Sequence, residues 1–184
     1  MTGSGKKGRM TFREEIEEGL LGRYSRAAML RLHRRIGSDP ERFAVLARLV
    51  LSQDADIVLR ASWLLTLCAE RTPSLLLPWI PKLITAAART DASDALRRNI
   101  VRSLQFIDIP RRSQGRAAEL CFGFLQDAAV PIAAKAFSMT VLANIARSEP
   151  DLKHELVLVI EQLVPYGSAG IRSRARKVLN QLRK

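Results

Sequence analysis

Apolar residues recur along this chain at the three- and four-residue spacing that places them on one side of a helix, and the segments carrying that pattern are short and separated by turn residues. The pattern repeats. Pro40, Pro73, Pro110 and Pro150 each stand where a helix begins, preceded in three cases by Asp39, Thr72 and Glu149, and they are spaced 33 to 40 residues apart. A second series runs through IVLRASWLLTL, ALRRNIVRSL, IAAKAFSMTVL and IRSRARKVL, where Arg60, Arg97, Lys135 and Arg172 recur about every 37 residues. Leu67, Leu104, Leu142 and Leu179 follow these by seven residues, two turns along the same face. Each series marks one helix of a pair.

These signals predict helix pairs at 12–21 with 25–36, 40–51 with 55–70, 73–89 with 93–107, 111–127 with 131–147, and 150–165 with 169–183. A single pair cannot bury its apolar face, so neighbours must stack in order into an elongated array. The expected fold is all-α, an α-solenoid of about five pairs, with 1–11 as a flexible basic tail and 12–184 as one domain. Composition agrees: the 184 residues are 47% hydrophobic but only 5% aromatic, and glycine is scarce.

The second helices resemble those of the HEAT-repeat family, which carry a Val-Arg-x-x-Ala-x-x-x-Leu pattern. Ile171, Arg172, Ala175 and Leu179 reproduce it, and LLPWIPKLITAA, with Pro78 and Pro81, is similar to the proline-containing first helix of such units. Trp63, Ile100 and Ser138 depart from the alanine of the pattern, and the first unit matches only around Arg26 and Leu30. The resemblance implies an interaction scaffold that binds a protein partner through its concave face. It also implies that the repeated basic residues serve an Asp-Arg ladder, for which Asp56 with Arg60, Asp94 with Arg98, and Asp127 with Lys135 are the candidates.

The formal net charge of +12 adds an alternative. Residues 1–35 carry 9 basic and 4 acidic groups and residues 171–184 carry 6 basic and none acidic, so most of the excess lies at the two ends. One internal cluster, Arg97, Arg98, Arg102, Arg111, Arg112 and Arg116, is interrupted only by Asp108 and is the candidate site for an anionic partner, nucleic-acid phosphates in particular. The basic C-terminal helix is read as the polar cap of the array.

Catalytic chemistry finds little support. His33 and His154 belong to different units, and Cys68 and Cys121 sit inside apolar patterns without metal-ligand spacing, so no cofactor, metal site or catalytic residue is expected. TGSGKKG lacks the spacing of a phosphate-binding loop, and Glu14, Glu15, Glu17 and Glu18 suit the start of a helix. Some alkylpurine DNA glycosylases are built on HEAT-like repeats, but they need aromatic residues and a carboxylate on the concave face, whereas Trp63 and Trp79 are assigned here to the core. No apolar run reaches the length of a membrane span and Met1 to Met10 hold no hydrophobic signal segment, so a soluble cytoplasmic chain is expected.

Overall fold

The structure is a computed structural model that describes residues 10–147 and 149–183. Most of the segment 1–11 predicted as a tail lies outside the described residues. Ten α-helices and one 3₁₀ segment account for the fold, with no strand among the described residues. They are α1 (Phe12–Leu21), α2 (Arg26–Ile36), α3 (Pro40–Val50), α4 (Ala55–Arg71), α5 (Ile80–Ala88), α6 (Asp94–Leu104), α7 (Arg111–Gln126), α8 (Ile132–Ile145), α9 (Pro150–Leu163) and α10 (Ala169–Leu182).

Local chemistry explains most of the boundaries. Thr11 starts α1 with a reciprocal capping box: its hydroxyl accepts from the Glu14 amide at 3.3 Å and its own amide donates to Glu14 Oε2 at 2.7 Å. Ser25, Asp39, Asp54, Ser93 and Ser168 accept from first-turn amides of α2, α3, α4, α6 and α10. Gly37 ends α2 at φ 59°, a conformation that costs a side-chain-bearing residue, and donates its amide to His33 O at 2.8 Å.

The one departure from the predicted elements is the helix expected over 73–89. Pro73–Trp79 forms a 3₁₀ segment and only Ile80–Ala88 is α-helical. Prolines 78 and 81 have no amide hydrogen, so a continuous α-helix would lose the bonds to the carbonyls of Ser74 and Leu77 and press each ring on the preceding turn.

The second helices form a continuous row in which α4 packs on α6, α6 on α8, and α8 on α10. Each first helix packs on its partner, as α3 on α4, α5 on α6, α7 on α8 and α9 on α10. At the N-terminal end, α1 and α2 both pack on α4 and close the row. The shared core is almost wholly aliphatic, from Ile16 and Leu20 through Leu64, Leu83, Ile100 and Leu142 to Val178 and Leu182.

Hydrogen bonds cross every junction from α4 to α10. Between α4 and α6 the seam is buried: Asn99 Nδ2 donates to Ser62 Oγ at 2.9 Å, and the Ser103 hydroxyl donates to Asn99 O at 2.8 Å, 3.4 Å from Thr66 Oγ1. Asn144 Nδ2 reaches Gln105 O at 3.2 Å across α6 and α8, and Arg174 Nη1 reaches Thr140 Oγ1 at 2.6 Å across α8 and α10. Small polar residues let these backbones come close and satisfy one another without water.

The first helices meet less completely. A cleft of about 480 Å³ lies between α5 and α7, beside Thr85, Arg116 and Gly123, and one of about 320 Å³ lies between α7 and α9, beside Gly115, Ala118 and Leu152. No described helix is long and apolar enough to cross a membrane.

Candidate functional site

Charge divides by row. Helices α2, α4, α6, α8 and α10 together carry fourteen Lys or Arg residues and three carboxylates, Asp56, Glu70 and Asp94. Helices α1, α3, α5, α7 and α9 carry eight Lys or Arg residues and nine carboxylates. Nearly all of the chain's positive excess therefore rides on the second helices, and α8 and α10 contain no carboxylate at all.

Three of the four recurring basic residues of the sequence, all but Lys135, anchor helix ends. Arg60 Nη1 donates to the carbonyls of Leu20 at 2.6 Å and Gly22 at 2.8 Å, closing the C-terminus of α1. Arg97 Nη2 donates to Arg89 O at 3.1 Å and Thr90 O at 3.2 Å beyond α5, and Arg172 Nη1 donates to Gly167 O at 2.8 Å beyond α9. Carbonyls at a helix C-terminus have no partner within the helix and sit at the negative end of its dipole, so a guanidinium suits them. The ladder implied by the resemblance does not form: Asp56 with Arg60, Asp94 with Arg98, and Asp127 with Lys135 make no ion pair within 4 Å among the described residues.

The six arginines of the sequence cluster are distributed over both rows. Arg98 and Arg102 lie on one face of α6, a second helix. Arg98 is exposed, with a 3.4 Å bond from Nε to Asn99 Oδ1, while Arg102 Nη2 meets Glu70 Oε1 of α4 at 2.8 Å. Arg111, Arg112 and Arg116 belong to α7, a first helix. Arg111 lies 3.6 Å from Glu149, Arg116 Nη2 donates to Thr85 Oγ1 at 2.8 Å, and Arg112 is exposed with no polar partner among the described residues. Arg97 is committed to its carbonyls, although its Nε is buried without a partner.

Aromatic rings interleave with the cations of the second row. Tyr24 and Trp63 are 5.6 Å apart between ring centroids, tilted at 54°, with the Arg60 guanidinium 5.6 Å from the Tyr24 centroid. Phe137 of α8 has Arg102 at 6.0 Å from one neighbouring helix and Arg174 at 5.9 Å from the other. The sequence cluster contained neither Arg174 nor Phe137. The signal that would have found Arg174 is a count of charge by alternate helices. Both tryptophans, expected in the core, are half-buried: Trp63 faces the second-row surface and Trp79 packs beneath Arg48 and Lys82. The Trp79 ring thus carries cations, whereas the Trp63 ring has Tyr24 beside it.

Both cysteines are buried. Burial pushes the Cys68 and Cys121 thiols up to about 12, far from a reactive thiolate. Among the described residues, no group of three His, Cys, Asp or Glu is placed to hold a metal ion. The pKa of His33 is held below the ordinary imidazole value by burial and then by Arg71.

A family model for the HEAT repeat domain matches residues 16–182, nearly the whole chain. No curated protein matches the chain, and no solved structure matches it.

Proposed function

Since this chain belongs to the HEAT-repeat family, we propose that it is a non-enzymatic scaffold that binds a protein partner along the surface of its second helices. The observation that carries the reading is the difference in packing between the rows. Second helices abut along hydrogen-bonded junctions, with one cleft of about 410 Å³ at the N-terminal ends of α4 and α6. Clefts of about 480 and 320 Å³ lie between α5 and α7 and between α7 and α9, so the later pairs are wedges with the thin edge at the second helix. Stacked wedges bend the array toward the thin edge and make the second-row surface the concave one. Half-buried aromatics with guanidinium groups braced beside them lie on that surface, the combination that anchors protein interfaces. A nucleic-acid reading draws less support, because three of the six clustered arginines lie on α7 and five of the six already hold partners.

Site-specific photocrosslinking tests the proposal. A photoreactive residue at Ala133 or Thr140 on α8 should capture a protein from an extract of the source cells, and the same residue at Glu119 on α7 should capture little. Equal capture from both rows, or capture only from α7, would sink the assignment of the surface.

A further inference from the structure

We infer that the second-row surface is built for one kind of protein segment, an acidic stretch with apolar residues at one end. This inference rests on the scaffold reading and names the partner's chemistry. The surface has two zones that follow each other along the row. Over α4, Asp56, Leu59, Trp63, Leu67 and Glu70 succeed one another at three- and four-residue steps and share one face. Leu59 is 44% exposed, and Trp63 and Leu67 are half-buried, so this zone is apolar and flanked by carboxylates.

From α6 onward the character changes. Arg98, Arg102, Arg174 and Lys177 face outward or half-outward with Phe137 and Thr140 between them, and the only carboxylate in those three second helices is Asp94 at the first residue of α6. Arg102 and Arg174 both stack on Phe137, which holds two guanidinium groups from helices on either side above one ring. Glu70, half-exposed and 2.8 Å from Arg102, shows what this zone receives: a carboxylate docked on a guanidinium already braced by an aromatic ring.

Charge complementarity selects the occupant. A nucleic-acid strand carries a phosphate at every step, so one laid along the row would press phosphates on Asp56 and Glu70 at the α4 end. A segment whose apolar end covers Leu59, Trp63 and Leu67 and whose acidic end covers Arg98 and Arg174 stays clear of Asp56 and meets a like charge only beside Glu70, which Arg102 already pairs.

Fluorescence anisotropy with synthetic probes on the whole protein tests this. The probes are a labelled peptide of leucine and phenylalanine followed by a run of glutamates, the same peptide with glutamines for glutamates, and a single-stranded RNA oligonucleotide. The acidic peptide should bind, weaken as salt rises, and lose roughly a hundredfold in affinity in the Arg98→Glu/Arg174→Glu variant. Trp63→Ala should cost about tenfold and Arg112→Glu nothing. Circular dichroism and melting check that the reversed variant folds, and the milder Arg98→Gln, which leaves no like charge behind, should weaken the acidic peptide without moving the melting point. Equal binding by the glutamine peptide would overturn the acidic preference and leave a scaffold for neutral segments. Tighter binding by the RNA, abolished by the same substitutions, would overturn both readings. If no probe binds, the inference fails by itself, and crosslinking from α8 still decides whether the surface meets a protein.

Discussion

The two rows of helices share one aliphatic core yet differ in how they meet their neighbours and in what they expose. Second helices touch through small polar residues such as Ser62, Asn99 and Ser103, carry fourteen basic residues against three acidic, and hold their aromatics beside guanidinium groups. First helices stand apart at two clefts, against one at the N-terminal ends of α4 and α6, and carry balanced charge. A repeat array thus separates cohesion from solubility: one row supplies close contact and a charged surface, the other a neutral exterior whose spacing can give.

Truncating one leucine in each row probes that difference most strongly. Leu142 in α8 is wholly buried, and Leu142→Ala should destabilise by about 3 kcal/mol through lost burial and a residual cavity. Leu152→Ala, in α9 at the edge of the cleft against α7, should cost about 1 kcal/mol because the side chain is already half-exposed. Chemical denaturation measures both, and equal losses would mean that the first row is packed as tightly as the second.

The seam is the next target. Asn99→Ala removes the donor to Ser62, whose hydroxyl keeps its bond to Leu59 O, and should cost about 1.5 kcal/mol for the lost buried bond. A loss below about 0.5 kcal/mol would show that the polar contacts merely fill space.

Neighbouring arginines then separate structure from surface. Arg97→Met strips the caps from Arg89 O and Thr90 O and should cost about 1 kcal/mol, while Arg98→Met should stay within about 0.5 kcal/mol of the parent. Comparable melting points for the two variants would contradict the division of roles.

That division also marks where sequence reasoning stopped. Capping residues and prolines are local signals, so nine of the ten α-helices were legible to within a few residues, and only the 3₁₀ turn at Pro73–Trp79 required weighing two further prolines. The recurring arginine was visible as a position, but its partners, the carbonyls of Leu20, Gly22, Arg89, Thr90 and Gly167, are backbone groups that no side-chain pattern announces. Counting charge along the chain joined Arg98 to Arg111 and Arg112, which are close in sequence yet in different rows, and missed Arg174, which shares Phe137 with Arg102 across more than seventy intervening positions. Stacking order decides such neighbours, and it becomes readable once helices are counted alternately.

Smaller still is the effect expected from α7. A Cβ built at Gly115 or Gly123 meets nothing within 4 Å, and both positions border the first-row clefts. Gly115→Ala and Gly123→Ala should each stabilise by about 0.5 to 1 kcal/mol by restricting the unfolded chain, measured by thermal unfolding. A loss of stability would show that these gaps close in solution and need the glycines.

The faintest expected signal is the pH dependence of the N-terminal second helices. His33 in α2 has its pKa lowered, first by burial and then by Arg71 of α4, so the folded state resists a proton that the unfolded chain accepts near the ordinary value of 6.5. Its contribution to stability is complete above that value and is lost as pH falls through 6.5 toward the lowered pKa. Glu15 and Asp91, whose pKa values are lowered by Arg35 and Arg89, lose their contributions only in the carboxylate range. Melting between pH 8 and 5.5 should therefore decline more steeply in the parent than in His33→Leu. Parallel profiles would mean that burial beside Arg71 does not penalise a charge on His33.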